Sequence, residues 1–448
     1  MSAQPALPPF DFQPTKYTGP DKANLLARRK QVLNQAIFTL YKEPLMLVQG
    51  KMQYVWDETG RRYLDCFGGI CTVSVGHCHP EVNAAVAKQN ELIQHCPTCY
   101  INPLVIEYAE KLAATLPKPL SRVYFVNSGS EANDLAVLMA RVATGNYDII
   151  SLRNSYHGGN AVGMSLTSHH TWKYNIPSMP GFQHARAPHP LRGGVDYDDP
   201  QAGEKYAAEI KELIRYGTSG KIAGFIAEPI QGVGGAVPYP KDYLGRAYDI
   251  VREHGGVCIA DEVQSGFGRT GENFWGFQNY GVIPDIVTMA KSIGNGFPLA
   301  AVVTTDEIAA HMAGRIHFNT FGGDPIAMAQ GMATLDIMLR TDTQGHCKKI
   351  GTHILAGLHE LAKKHPRIGN IRGMGLILGM EFVKPGTVDP DGPTCADFFE
   401  RCRHHGLLVG KGGLDGNVIR IKPPMCLTEQ DADFLLAVFT QVLAEMEA

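Results

Sequence analysis

No apolar run in the 448 residues reaches the roughly 18 that a membrane-spanning helix needs, so no membrane helix is expected. Neither sign of charge prevails. Lys and Arg number 41 against 44 Asp and Glu, and the net charge of -3 supplies no field for gripping nucleic acid or an anionic membrane. Internal repeats and low-complexity tracts are missing. Cys96-Pro-Thr-Cys99 has no second pair to complete a zinc quartet, so no metal is expected. The ten cysteines are scattered, a pattern of reduced thiols. The first thirty residues are Pro-rich and carry Asp11 and Asp21. They lack the apolar core of a signal peptide and the acid-poor, Arg-rich pattern of a mitochondrial presequence. A cytoplasmic protein is the expectation.

What is present is a long chain of globular composition, 44% hydrophobic and 19% charged. Its middle alternates short apolar runs with helical patterns. Strands are expected at Val123–Val126, Asp148–Leu152, Ile222–Ala227, Val257–Ala260, Ile286–Ala290 and Leu299–Thr304. Helices between them, such as Ser130–Thr144 and Lys241–His254, make βαβ units around a largely parallel sheet. From about residue 345 the texture becomes that of a smaller α+β unit. Tyr54–Asp65 reads as a hairpin around Glu58-Thr-Gly60 that joins it. The expected division is an N-terminal segment 1–65, a large domain 66–342 and a small C-terminal domain 343–448.

Three apolar runs each end on one ionisable residue: Ile222–Ala227 on Glu228, Val257–Ala260 on Asp261, and Ile286–Ala290 on Lys291. Continuous apolar runs are buried parallel strands, and α/β sites lie at their carboxyl ends. Ordinary strand-end polarity would leave the same pattern. Lys291, next to an apolar strand end, is partly desolvated, which favours the neutral amine that attacks a carbonyl; a surface lysine is the alternative. Asp261 can pair with a cationic nitrogen or merely cap a turn. Val123–Val126 runs into Asn127-Ser-Gly-Ser-Glu-Ala-Asn133 and then a helix, a turn whose free amides suit a phosphate or simply start the helix. Arg420, on the short strand Val418–Ile421, suits a carboxylate, with Glu228 as its partner when the site is empty; a structural ion pair is the alternative. Gly266-Phe-Gly-Arg-Thr-Gly271 fits the dinucleotide fingerprint, yet a poor helix start follows it and Asp285 precedes a strand, so nicotinamide binding is set aside.

Together these segments resemble the class III pyridoxal-phosphate (PLP) aminotransferases of fold type I. The resemblance rests on Tyr63-Leu-Asp-Cys-Phe-Gly-Gly-Ile70, Gly76-His-Cys-His-Pro80, Asn127-Ser-Gly-Ser-Glu-Ala132, Ala227-Glu-Pro-Ile-Gln-Gly232, Ala260-Asp-Glu-Val-Gln-Ser-Gly-Phe-Gly-Arg-Thr-Gly271, Pro284-Asp-Ile-Val-Thr-Met-Ala-Lys291 and Phe318-Asn-Thr-Phe-Gly-Gly323. It covers almost the whole chain and is greatest to the alanine–glyoxylate aminotransferases of the second type. It implies an α/β fold with a mainly parallel seven-stranded sheet in the large domain and a smaller α+β domain. It implies that Lys291 holds PLP covalently and shuttles the proton, and that Asp261 pairs with the ring nitrogen. Val263 would pack under the ring, Gln264 reach its phenolic oxygen and Tyr156 stack on the other face, with His157 in the same cofactor-binding set. Ser128, Gly129 and Ser130 would hold the phosphate, with Thr320 donated by the neighbouring subunit of a homodimer or homotetramer with shared active sites. Arg420 would bind the substrate carboxylate, and Glu228 would mask it.

Two positions bear on substrate. Many 4-aminobutyrate aminotransferases carry Arg where this chain has Gly159, and ornithine aminotransferases carry Tyr where it has Ile70. The expected reaction therefore moves an amino group from alanine, β-alanine or a related ω-amino acid to glyoxylate or pyruvate. The alternatives are 4-aminobutyrate or another ω-amino acid with 2-oxoglutarate, and decarboxylation or aminomutase chemistry. Small amino and keto acids are the expected partners, with neither nucleic acid nor membrane.

Overall fold

A computed structural model describes residues 5–447. The first four residues of the expected N-terminal segment, and residue 448 of the C-terminal domain, lie outside the described residues. Seven strands form the main sheet: β1 (Arg122–Val126), β2 (Ile149–Leu152), β3 (Phe182–Ala185), β4 (Gly224–Ala227), β5 (Val257–Asp261), β6 (Ile286–Met289) and β7 (Ala300–Thr304). Their order is β1-β7-β6-β5-β4-β2-β3. All run parallel except β7, which is antiparallel to both its neighbours.

The apolar runs become strands because both faces of the sheet are covered. Side chains alternate along β4. Phe225 packs with Ile210 of the Ala202–Gly217 helix and Tyr243 of the Tyr243–Glu253 helix. Ile226 packs on the other side with Ala136 of the Gly129–Thr144 helix and with Ile259 of β5. Each such Ile or Phe, fully buried, contributes about 1.5–3 kcal/mol. β3 was not among the expected strands. Its sequence Phe-Gln-His-Ala is polar, and three of its four residues are only half-buried at the sheet edge.

A second, four-stranded antiparallel sheet joins Ile368–Met374, Ile377–Phe382, Val418–Ile421 and Gly410–Gly412. The hairpin Tyr54–Asp57 with Arg62–Asp65 forms as expected, and Leu64 then pairs in parallel with Leu407. The amide of Lys422 donates to the carbonyl of Cys66 at 2.8 Å. The Lys422 side chain reaches Gly232 and Gln264, just beyond the carboxyl ends of β4 and β5, which places the end of strand Val418–Ile421 at that edge of the main sheet. No helix among the described residues is long and apolar enough to cross a membrane. The Gly266–Gly271 segment is a chain of turns and is not followed by an α-helix, in line with setting aside the dinucleotide fingerprint.

Candidate active site

Register places the three strand-end residues together. Ala260 of β5 pairs with Ala227 of β4 and with Val287 of β6. Asp261 and Glu228 therefore leave the sheet side by side, and Lys291 follows β6 at the same edge. Lys291 sits in the left-handed region, with φ 53°. A non-glycine residue there costs about 1–3 kcal/mol, and such strain gathers at functional sites.

Asp261 is buried, and both its oxygens are engaged. Oδ2 accepts from Asn133 Nδ2 at 2.8 Å and faces His157 Nδ1 at 2.7 Å; Oδ1 accepts from the Val263 amide at 3.1 Å. Burial alone would raise the carboxyl pKa. The hydrogen bonds from His157 and Asn133 and the Val263 amide outweigh it, and the net direction is down. Asn133 is in turn fixed by Thr288 Oγ1, which donates to its Oδ1 at 2.7 Å. Neither Asn133 nor Thr288 was singled out from sequence, although both lie in segments that were: Asn133 ends the Gly/Ser turn and Thr288 lies within β6, opposite Asp261.

The amine of Lys291 has no hydrogen-bond or ion-pair partner among the described residues. Desolvation lowers its pKa and Arg420 lowers it further, against the opposing pull of Cys71, Asp261 and Glu228. That is the condition for a nucleophilic amine. Ser128 caps the Gly129–Thr144 helix, its Oγ accepting from the Glu131 amide at 3.2 Å. The first amides of a helix lack intrahelical acceptors, so those of Gly129 and Ser130 remain for an anion. Ser130 Oγ accepts from the Gly159 amide at 3.2 Å. A Cβ on Gly129 would lie 3.1 Å from both γ-carbons of Val263, so only glycine lets the turn come down on that valine freely. Tyr156 is half-buried and meets Trp172 edge-on at 5.1 Å.

The substrate side differs from the sequence reading at two points. The anticipated Glu228–Arg420 ion pair is not formed. The Glu228 carboxylate instead accepts from the amides of Tyr156 (3.2 Å) and Gly232 (2.8 Å), and burial raises its pKa. Arg420, 5% exposed, donates to the Lys411 carbonyl at 2.7 Å and more distantly to that of Gly232 at 3.4 Å; its buried Nε has no partner. Secondly, a lysine absent from the sequence reading, Lys422, is fully buried beside it and donates to Gly232 O at 3.0 Å and to Gln264 Oε1 at 2.6 Å. The rule that marked Lys291, a lysine directly after an apolar strand, marks Lys422 after Val418–Ile421 equally well. Ile70 (42% exposed) and Thr320 open to solvent in the single chain, and Thr320, expected to serve the neighbouring subunit, makes no hydrogen bond to the other site residues.

These residues fit pyridoxal phosphate. Asp261 offers a deprotonated carboxylate for a ring nitrogen, Lys291 an unpartnered amine, the Gly129–Ser130 turn free amides for a phosphate, and buried His157 Nε2 an unfilled hydrogen-bond position.

The family model for class-III aminotransferases matches residues 40–443. The chain is 47% identical over 444 residues to alanine–glyoxylate aminotransferase 2 homolog 2, mitochondrial, of Arabidopsis thaliana, covering 99% of this chain and 92% of the relative. It is 44% identical over 472 residues to the mitochondrial alanine–glyoxylate aminotransferase 2 of Homo sapiens, covering 99% and 91%. Among solved structures, an amine transaminase from an uncultivated Pseudomonas species in its PLP-bound form matches with TM-score 0.85 and 32% identity, covering 90% of this chain and 95% of that one. The expectation of a cytoplasmic protein is overturned by these mitochondrial relatives. Its physical basis was too coarse: free thiols, all ten of them here, mark a reducing compartment, and they do not separate one reducing compartment from another.

Proposed function

We propose that this chain, which belongs to the class III aminotransferases and is a pyridoxal-phosphate transaminase, moves an amino group from alanine, β-alanine or a related ω-amino acid to glyoxylate or pyruvate. The observation that carries the reading is the pairing of a carboxylate held by three donors, Asp261, with the unpartnered, desolvated amine of Lys291 at one sheet edge. The bound coenzyme supplies an electron sink for a carbanion. In this reading the chain's residues bind, orient and move one proton. Asp261 keeps the ring nitrogen positive, held in place by His157 and Asn133. Lys291 Nζ anchors the coenzyme and then carries the proton to and from the substrate carbon. Val263 and Tyr156 bracket the ring, Gln264 donates to its phenolic oxygen, and Ser128, Gly129 and Ser130 hold the phosphate.

Arg420 receives the carboxylate of the amino or keto acid. Its unpartnered Nε and weak contact to Gly232 support its role as the seat for an anion. Glu228, bound to two amides, shapes the seat without occupying it. Ile70 and Gly159 bound the far end. Gly159 offers no charge for a second carboxylate, which favours small acceptors over 2-oxoglutarate. The protein works as a homodimer or homotetramer with Thr320 reaching the neighbouring phosphate site. Large apolar residues left exposed near it in sequence, Ile316 (98%) and Phe321 (60%), support that assembly. We also propose that 1–65 joins the small domain 343–448 around the large domain 66–342, supported by the Leu64–Leu407 pairing.

The test is a panel of amino donors run against glyoxylate, pyruvate and 2-oxoglutarate. Alanine or β-alanine should be consumed one-for-one with glyoxylate or pyruvate, without release of carbon dioxide. Preference for 2-oxoglutarate would move the enzyme to the 4-aminobutyrate type. Turnover without an acceptor would move it to decarboxylation or aminomutase chemistry.

A further inference from the structure

Lys422 has no place in the roles given above, yet it is a fully buried lysine inside the site. Leaving an ammonium or amine there is costly unless its hydrogens are used. They are used on two acceptors only: the carbonyl of Gly232 at 3.0 Å and the side-chain oxygen of Gln264 at 2.6 Å. An ammonium has only donors to offer, so the amide of Gln264 meets it with its oxygen, as the 2.6 Å contact shows. The amide nitrogen is thereby turned the other way, and among the described residues it has no acceptor. A carboxamide in an open pocket can flip between two nearly equivalent orientations; this one cannot without leaving two donors opposed and buried. Space closes the remaining freedom. A Cβ on Gly232 would lie 2.4 Å from the Gln264 amide carbon, so the residue at 232 must be glycine for the amide to sit where it does.

We propose that Lys422 is a positioning residue that locks Gln264 with its N–H bonds aimed at the phenolic oxygen of the bound coenzyme, so that the deprotonated oxygen is the favoured form. The proposal rests on the placement of Gln264 against that oxygen. Lys422 also shares the Gly232 carbonyl with Arg420 Nη1, which lies 3.4 Å from it. One buried lysine thus holds both the group that reads the coenzyme's oxygen and the backbone beside the carboxylate seat.

The readout is the pH midpoint at which the visible absorption of the holoenzyme changes, a property of the imine nitrogen beside the phenolic oxygen. A donor fixed on that oxygen stabilises the form lacking the imine proton and lowers the midpoint. Losing the donor raises it. Lys422→Met should retain the yellow coenzyme and shift the midpoint up by about one pH unit or more. Gln264→Met should shift it comparably, and the double variant should go no further than the larger single, because the lysine acts through the amide. Gln264→Glu tests the orientation without touching the lysine: a carboxylate satisfies Lys422 but cannot donate to the coenzyme, so the midpoint should again rise. Should Lys422→Met fail to fold, that variant and Gln264→Met decide the outcome.

An unmoved midpoint in Lys422→Met or in Gln264→Glu overturns the proposal. So does a fully additive double variant, which would mean that the lysine acts directly. An unmoved midpoint in Gln264→Met together with a shift in Lys422→Met would show instead that Gln264 does not touch the phenolic oxygen. Failure of the wild type to take up a yellow coenzyme at all would strike the transaminase reading itself.

Discussion

The two charged anchors of the site, Asp261 and Arg420, differ in how completely their hydrogen bonding is satisfied. On the coenzyme side, Asp261 uses both oxygens on three donors, and Asn133 behind it is held by Thr288. On the substrate side, Arg420 has no ion pair among the described residues and leaves its buried Nε unpartnered. A carboxylate held by three donors suits a partner that stays, since it is already pointed before the coenzyme arrives. Unfinished hydrogen bonding suits a guest that comes and goes twice per cycle, since the guest supplies the missing acceptors. A buried arginine without a carboxylate is expensive, and that cost is recovered on binding.

Four changes would break or sharpen that contrast. The largest effect is expected at the finished side. Asp261→Asn removes the negative charge offered to the coenzyme's ring nitrogen, and kcat/KM should fall by roughly 10²- to 10³-fold, about 3–4 kcal/mol, with coenzyme still bound. A change in KM alone would say that Asp261 belongs to the substrate side. Next, Arg420→Ala removes charged hydrogen bonds worth about 1.5–3 kcal/mol, so KM for carboxylate substrates should rise about 10- to 100-fold, with little effect on amines that lack a carboxylate. Equal losses for both substrate types would refute the carboxylate seat.

Smaller still is the effect of Gly159→Arg. A Cβ at this exposed position meets nothing within 4 Å, so the fold should tolerate it. Activity with 2-oxoglutarate relative to pyruvate should rise about tenfold, within the roughly 1.5–3 kcal/mol that one charged hydrogen bond supplies. No gain would place the far carboxylate elsewhere. The smallest effect concerns stability. His184 lies on the edge strand β3, its Nδ1 2.9 Å from Ser151 Oγ, and burial pushes its pKa down to about 4 from 6.5. Between those values the unfolded chain binds the extra proton, so stability is full above pH 6.5 and drains as pH falls towards 4. His184→Gln should flatten the dependence of Tm on pH in that window, and an unchanged slope would show that this histidine does not set it.

Legibility in the sequence followed the same divide. β4, β5 and β6 are continuous apolar runs, so their ends, and with them Glu228, Asp261 and Lys291, could be placed on one edge from the sequence. β3 hid because an edge strand needs no apolar run, and Gly410–Gly412 hid because three residues carry no period. Asn133 and Thr288 were missed because their importance lies in what they touch across 155 positions of chain. Lys422 was missed for a different reason. Its pattern was visible, but a lysine followed by Pro423-Pro424 resembles a strand leaving for solvent. Only the closing of Cys66 and Gly232 around it makes it buried. The Glu228–Arg420 pair failed because sequence proximity to a site says which charges gather there, and backbone amides can outbid a guanidinium for a carboxylate.

Two lysines at one site, the partly buried Lys291 and the fully buried Lys422, make the central assignment directly testable. The holoenzyme is reduced with borohydride, digested, and the peptide carrying the coenzyme's mass is located by mass spectrometry. The modification should fall on Lys291 alone, and the yellow colour should bleach in step with it. Label on Lys422, or on neither lysine while the colour bleaches, would contradict the assignment.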